Sequence, residues 1–228
     1  MRINFNYRNY FTTAAGYGEK PRRAQYFEGP YELALYRLLE MDTAFVDYQF
    51  QPLQIRWETS AGDTVGYTTD VVYLTEEGEI VVEEVKATDA YFEQPETDDL
   101  LTLFEVQIAK AGARFNRRTG RRLAEPAFWR TVKDAFDDRR TAYAESEVER
   151  VHNAILREGT VAPLGLVLEA IGGTSREAQA KLHAMMIPRL VGIDLGRPAM
   201  VDTPVTIPAT PADPDALRAF LRGFAVPA

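Results

Sequence analysis

The stretch that decides the fold is Tyr67–Ala87, which reads YTTDVVYLTEEGEIVVEEVKA. It contains two runs rich in β-branched residues, Asp70–Leu74 and Ile80–Val85, and a polar segment with Gly78 lies between them. Because glycine readily takes up the positive φ angles of tight turns, this pattern predicts a β-hairpin. Such a hairpin brings the start of its first strand, where Asp70 lies, to the end of its second strand.

Candidate catalytic side chains lie at that end of the hairpin. Glu84 and Lys86 are two residues apart, so in a strand their side chains point to the same face. Two acids and a lysine there suit a divalent metal and a positioned water, and the backbone carbonyl of Val85 is a further candidate ligand. Glu83 points to the opposite face, and we expect it to be replaceable. Acid-x-Lys triplets also occur by chance in exposed hairpins, so the triplet alone does not identify an enzyme.

The composition limits the metal and catalytic chemistry. The 228 residues include no cysteine, which excludes disulfides, thiolate zinc sites and a cysteine nucleophile. Only His152 and His183 are present, which argues against a histidine-rich metal site or a Ser/His triad. Any metal site would therefore use carboxylate oxygens, which favour Mg²⁺ or Mn²⁺. No organic cofactor is expected.

The net charge of −8 bears on partners and location. Proteins that bind nucleic acid alone are usually basic. Either the basic residues are concentrated on one surface, or a partner supplies most of the DNA affinity. The N-terminus lacks the apolar segment of a signal peptide, and no apolar run reaches membrane-spanning length, so we expect a cytoplasmic protein that does not enter a membrane.

A helix is predicted upstream of the hairpin. Residues 1–29 show no clear period and are expected to form an irregular arm. The helix runs from Pro30, a favourable first helical residue, to about Met41. Glu32 lies in line with its apolar stripe, so its carboxylate faces the core side and needs a partner, for which a metal is one candidate. An acid in the first turn also favours the helix dipole, and this purely structural role stays open.

The elements around the hairpin complete an α/β pattern. Strands are predicted at Phe45–Phe50 and Leu53–Thr59, and a helix follows the hairpin at about residues 97–111. This order predicts an α/β core with a mixed sheet flanked by helices.

The densest basic cluster follows at residues 110–122. Its arginines are Arg114, Arg117, Arg118, Arg121 and Arg122. They either form a solvated surface that balances acids elsewhere, or contact DNA phosphates beside the hairpin. The sequence leaves both interpretations open.

The C-terminal half has the outline of a winged-helix domain. The predicted helices lie at about 126–140, 145–158, 163–171 and 174–188, and the predicted strands at 191–195 and 200–207. Winged helices bind DNA or dock proteins, and the modest charge favours docking over base-specific reading. We therefore predict three segments: residues 1–125 with the α/β core, 126–208 with the winged helix, and a short helical tail at 209–228.

The ordered motifs resemble a known family. They are Glu32 on a helix, the strand YQFQPL at 48–53, YTTDVV at 67–72 and VEEVKA at 82–87. Over about residues 25–125 this set is similar to the catalytic domain of TnsA, the endonuclease subunit of heteromeric transposases in the PD-(D/E)XK restriction-like nuclease superfamily. The sequence departs from the pattern at Thr69, where the superfamily usually has proline, and at Glu84, where this branch can have glutamine.

The resemblance implies a restriction-endonuclease-like fold and a site of four residues. Glu32 corresponds to the helical acid, Asp70 to the metal-bridging acid, Glu84 to the second-strand ligand and Lys86 to the catalytic lysine. It further implies a bacterial Mg²⁺-dependent enzyme, also served by Mn²⁺, that hydrolyses double-stranded DNA at transposon 5′ ends to leave 3′-hydroxyl and 5′-phosphate groups.

The implied partners are a DDE-type transposase and an ATPase regulator that docks on the C-terminal region. Two alternatives stay open. One is a stand-alone defence, phage or repair nuclease with the same core. The other is a non-catalytic winged-helix adaptor that recruits a transposase or regulator.

Overall fold

The computed structural model describes residues 13–58, 64–121, 123–211 and 213–224. The chain divides into two compact units. The first unit contains Met1–Ala34, Asp47–Arg121 and Ala212–Ala228; the second contains Leu35–Val46 and Arg122–Pro211. The division is thus not the linear one predicted from the sequence, because the C-terminal segment belongs to the first unit.

The first unit is built on a mixed sheet flanked by helices. Its helices and strands are β1 (Thr13–Gly18), β2 (Arg23–Glu28), β4 (Gln54–Glu58), β5 (Thr64–Thr68), β6 (Val71–Thr75), β7 (Ile80–Lys86), a 3₁₀ helix (Asp89–Tyr91), α2 (Pro95–Lys110), β8 (Arg114–Thr119) and α7 (Ala216–Gly223). Helix α1 (Pro30–Met41) and strand β3 (Phe45–Phe50) each begin in one unit and end in the other.

The central sheet has the strand order β3-β6-β7-β8. Strands β6 and β7 pair antiparallel, whereas β7 and β8 pair parallel. A parallel pair needs a crossover connection, and α2 supplies it, burying Leu101, Phe104 and Ile108. The sequence prediction of an α/β protein with a mixed sheet flanked by helices is confirmed.

The β6–β7 hairpin forms as the sequence predicts. Gly78 has a φ of 86°, a left-handed conformation that residues with a Cβ rarely adopt. Its N–H donates to the carbonyl of Thr75 at 3.0 Å, which closes the turn. In the resulting register Val71 lies opposite Glu83 and Leu74 opposite Ile80.

The predicted irregular arm is wrong for its described part. Residues 13–28 form an antiparallel two-stranded sheet, β1 with β2, in which Gly18 lies opposite Arg23. Residues 1–12 lie outside the described part of the chain. A second two-stranded sheet, β4 with β5, precedes the hairpin.

The second unit is mostly helical. It contains α3 (Pro126–Asp138), α4 (Glu145–Arg157), β9 (Val161–Pro163), α5 (Leu164–Ile171), α6 (Ser175–Met186), β10 (Gly192–Ile193) and β11 (Pro204–Thr206). The strands form a small antiparallel sheet in the order β10-β11-β9. Helix α6 begins as predicted, because the hydroxyl of Thr174 accepts a hydrogen bond from the N–H of Glu177 at 3.2 Å. Throughout the described part of the chain, no helix combines the length and apolar character needed to cross a membrane.

The predicted C-terminal tail is not a separate segment. Its helix α7 packs on β6 of the first unit. Leu217 of α7 is fully buried. The tail therefore contributes to the unit that carries the hairpin.

Candidate active site

The end of the β6–β7 hairpin brings Asp70 and Lys86 into direct contact. Asp70 directly precedes β6, and its Oδ2 accepts a hydrogen bond from the backbone N–H of Val85 at 2.8 Å. The same oxygen lies 3.2 Å from Lys86 Nζ. The Val85 carbonyl, the atom named in the sequence analysis as a candidate ligand, takes no part in this contact. Three of the predicted positions thus lie together through the hairpin register alone.

Glu84 joins this cluster from β7. Its side chain forms an ion pair with Lys86 through Oε1 and accepts a hydrogen bond from the hydroxyl of Tyr67 through Oε2. Glu84 is only 3% exposed. Lys86 Nζ therefore contacts both Asp70 and Glu84, and it also lies 5.2 Å from the centroid of the Tyr91 ring.

Glu32 approaches the same cluster from the first turn of α1. Its side chain is buried, and its Oε2 accepts a hydrogen bond from the backbone N–H of Glu28 at 3.0 Å. Its charge interacts with those of Asp70 and Lys86. The prediction that Glu32 faces the core side is confirmed, and its burial exceeds what a helix-dipole role requires.

The pKa values of Glu32 and Glu84 are raised in this cluster by burial and by the nearby carboxylate of Asp70. Burial raises the pKa of Glu32 to about 8, and the carboxylate of Asp70 adds to the increase. Burial also raises the pKa of Glu84 to about 7, again with a contribution from Asp70. Burial alone would lower the pKa of Lys86, but Asp70 and Glu84 raise it above its ordinary value, so the ammonium stays charged. Glu32 is therefore mostly protonated near neutral pH and Glu84 only partly ionised, and a cation bound among these acids would favour their charged forms.

The donor atoms of Glu32, Asp70 and Glu84 fit a hard divalent cation, because all of them are carboxylate oxygens that repel one another. Within the described residues, however, no group of three or more His, Asp or Glu side chains is arranged to hold a metal ion as it stands. Lys86 Nζ contacts both hairpin acids. A cation shared by Asp70 and Glu84 would require the ammonium to move aside.

Glu83 is not the replaceable residue that the sequence analysis expects. It is fully buried, and its carboxylate accepts hydrogen bonds from Tyr73 at 2.9 Å and from Asn116. It also forms an ion pair with Arg118. The face of β7 opposite the candidate site thus holds a second polar network, which links β6, β7 and β8.

The basic cluster is largely paired with acids. Arg114 donates to Glu79 through Nε at 2.7 Å and through Nη2 at 3.0 Å. Arg117 pairs with Asp98 on α2, and Arg118 with the buried Glu83. These contacts favour the interpretation of a surface that balances nearby acids. Arg121 is exposed, and Arg122 lies outside the described residues.

Two tyrosines of the site have no role in the sequence prediction. Tyr67 contacts Glu84, and the ring of Tyr91 lies beside Lys86. Tyrosine is common in strands and at helix ends for packing reasons alone, so neither residue gives a distinguishing signal. Only the position of Tyr67, three residues before Asp70, could have drawn attention to it.

In the second unit, the cations of α6 also have acidic partners. Arg176 donates to Asp138 through Nη1 at 2.7 Å and through Nη2 at 2.6 Å. Lys181 Nζ lies 2.9 Å from Glu147 and 3.0 Å from Glu177. His183 is buried, and its Nδ1 lies 2.8 Å from Asp138, so this histidine is packed against an acid of its own unit.

Neither a protein-family model nor a curated protein sequence matches this chain. The functional interpretation therefore depends on the residues of the hairpin cluster themselves.

Proposed function

We propose that this protein is a metal-dependent DNA endonuclease of the PD-(D/E)XK type that acts as the TnsA-like subunit of a heteromeric transposase. The observation that carries the proposal is the contact of Lys86 Nζ with both Asp70 and Glu84 at the open end of a hairpin. Glu32, buried on α1 and electrostatically coupled to Asp70, adds the fourth expected residue. An acid pair, a lysine and a helical acid are the groups that the family resemblance requires.

Phosphodiester hydrolysis needs an oriented water and stabilisation of the negative charge that grows on the phosphate. A divalent cation, when bound, supplies Lewis-acid stabilisation of that charge. Asp70 and Glu84 would hold the cation, with Glu32 and the Val85 carbonyl as further ligands. Because the acids keep Lys86 protonated, its ammonium donates hydrogen bonds and is suited to steady a phosphate oxygen.

The order of elements supports the same proposal. A restriction-like nuclease core presents its acids on a hairpin that follows a helix, and α1, β6 and β7 have this order. The parallel strand β8, reached through α2, is a further point of agreement. In the second unit, three helices and a three-stranded sheet occur in the order α4, β9, α5, α6, β10, β11, and this order supports the proposed winged helix.

The charges of the winged-helix-like unit favour protein docking. Helix α6 holds the position of a recognition helix, but Arg176 and Lys181 are already paired with Asp138, Glu147 and Glu177. Phosphate-driven affinity needs several available cations. We therefore assign this unit to assembly with a DDE-type transposase and an ATPase regulator, and we assign end-specific DNA binding to the transposase.

The test is cleavage of DNA carrying transposon ends by the purified chain, with Mg²⁺ or Mn²⁺, alone and mixed with a DDE-type transposase if one is encoded in a neighbouring gene. The subunit proposal predicts cuts at the 5′ ends, with 3′-hydroxyl and 5′-phosphate products, only in the mixture. Asp70→Ala and Lys86→Ala should abolish these cuts, whereas Glu77→Ala, in the exposed turn of the same hairpin, should not.

Other results distinguish the alternatives. Cleavage by the chain alone would favour a stand-alone nuclease. If both active-site variants keep every DNA-processing activity, the nuclease proposal is wrong and a non-catalytic adaptor remains.

A further inference from the structure

We propose that Tyr67 is a positioning residue that leaves Glu84 only one oxygen for a cation, and that it thereby favours Mg²⁺ over the larger Ca²⁺. The inference rests on the proposed function, because it concerns the same acidic cluster. It adds a residue that lies outside the motif set of Glu32, Asp70, Glu84 and Lys86.

The two oxygens of Glu84 have different partners. Oε2 accepts the hydrogen bond of the Tyr67 hydroxyl, and Oε1 faces Lys86. Lys86 in turn contacts Asp70, so Oε1 is the oxygen directed to the centre of the cluster. The hydrogen bond occupies one lone pair of Oε2 and holds that oxygen towards Tyr67, so Oε1 is the oxygen presented to a cation that Asp70 and Glu84 share.

The position of Tyr67 is fixed from two sides. Its backbone belongs to β5, where it pairs with Ile55 of β4. The centroid of its ring lies 4.4 Å from that of Phe104, a fully buried residue of α2. Phe104 in turn packs edge-on against Phe115 of β8, with 5.2 Å between the ring centroids. Because the ring is packed in this way, the position of its hydroxyl is fixed. A residue that orients a metal ligand needs such a fixed position.

The hydroxyl also remains a donor. A tyrosine phenol ordinarily loses its proton only near pH 10, at about its pKa, so at neutral pH the hydroxyl of Tyr67 can donate to Glu84.

Restricting a carboxylate to one oxygen discriminates between cations. Mg²⁺ requires near-octahedral coordination and takes single oxygens, whereas Ca²⁺ accepts six to eight ligands, often including both oxygens of one carboxylate. With Tyr67 in place, Glu84 offers the geometry that suits Mg²⁺. Without the hydroxyl, both oxygens of Glu84 become available, and the larger ion gains a ligand.

The test is calorimetric titration of the full chain with Mg²⁺ and, separately, with Ca²⁺, in the wild type, Tyr67→Phe and Tyr73→Phe. Tyr73→Phe is the matched control, because its hydroxyl donates to a buried glutamate of the same strand, Glu83, on the opposite face. In Tyr67→Phe we expect the Mg²⁺ affinity to fall about tenfold or more, the usual effect of losing a group that orients a metal ligand. The Ca²⁺ affinity should stay the same or rise.

The ratio of the two affinities is the deciding quantity, since a loss of stability alone would weaken both ions together. An unchanged ratio in Tyr67→Phe, or an equal change in Tyr73→Phe, overturns the role of Tyr67 and leaves the proposed nuclease intact. If the wild type binds neither cation, both the role of Tyr67 and the proposed function are overturned.

Discussion

Replacing Glu83 by glutamine should destabilise the protein, whereas the same replacement of its neighbour Glu84 should not. Glu83 is fully buried and accepts hydrogen bonds from Tyr73 and Asn116 while pairing with Arg118. Glu83→Gln removes the charge that compensates Arg118. Removing one partner of a buried ion pair costs about 3–5 kcal/mol. Because the side chain of Arg118 is 26% exposed, water recovers part of this loss, and we expect a cost of about 2–4 kcal/mol.

Glu84→Gln should behave differently at pH 8. Folding raises the pKa of Glu84 from 4.5 to about 7, so ionising this buried group opposes folding by about 3 kcal/mol. An amide avoids that cost, although it gives up the ion pair with Lys86. We therefore expect the free energy of unfolding of Glu84→Gln to be no lower than that of the wild type at pH 8.

The assay is thermal unfolding followed by far-ultraviolet circular dichroism, with EDTA present to remove cations. For a chain of this size, 1 kcal/mol corresponds to about 2–4 °C in Tm, so Glu83→Gln should lower Tm by about 4–16 °C. Glu77→Gln, in the exposed turn of the same hairpin, serves as the control and should change Tm by less than about 2 °C. The reasoning fails if Glu83→Gln resembles Glu77→Gln, or if Glu84→Gln is as unstable as Glu83→Gln.

Three further perturbations test other parts of the structure. Gly120→Ala would place a Cβ 2.1 Å from Cδ1 of Tyr31, the neighbour of Glu32, and should lower the free energy of unfolding in urea by about 1–3 kcal/mol. Gly223→Ala is the control and should be neutral, because its Cβ would meet nothing within 4 Å. Equal effects of the two changes would contradict the packing of Gly120 on Tyr31. Folding raises the pKa of Glu32 to about 8 and that of Glu84 to about 7, so their contribution to metal-free stability is complete below pH 4.5 and is lost as pH rises through 7 and 8. Tm should therefore fall over this range in the wild type and fall less in the Glu32→Gln, Glu84→Gln double variant. An equal fall in both proteins would show that these two carboxyl groups are not its cause. Asp138→Asn removes the carboxylate that both Arg176 and His183 contact and should lower the free energy of unfolding by about 2–3 kcal/mol. The same change at its exposed neighbour, Asp137→Asn, should lower it by less than about 1 kcal/mol. Chemical denaturation of both variants measures the difference, and equal costs would contradict the role of Asp138.

Local sequence signals were sufficient for the hairpin and the helices. Gly78 marks a turn by its conformational freedom, and Pro30 marks a helix start, because both effects act within a few residues of the chain. The alternation of side chains also assigned Glu84 and Lys86 correctly to one face of β7. These features depend on backbone geometry, which neighbouring residues determine.

Most of the wrong predictions concern contacts between residues that are far apart in the sequence. Alternation places Glu83 on the other face of its strand but does not say that β8 and its Arg118 cover that face. In the same way, the partners of Arg114 and Arg117 lie 35 and 19 residues away, on a turn and on a helix, so the sequence could not show that these arginines are paired. The arm at residues 13–28 was missed because its glycines and aromatic residues hide the period of its strands.

The paired arginines bear on how the protein would bind DNA. A nuclease site with excess acid must bring a polyanion close to its own carboxylates, and basic residues nearby would normally supply the attraction. Here Arg114, Arg117 and Arg118 already neutralise Glu79, Asp98 and Glu83, and the chain as a whole carries a net charge of −8. Affinity for DNA would therefore come chiefly from a metal ion in the cluster and from a partner that binds DNA itself. If the protein is the proposed nuclease, that requirement favours a nuclease subunit over a nuclease that works alone.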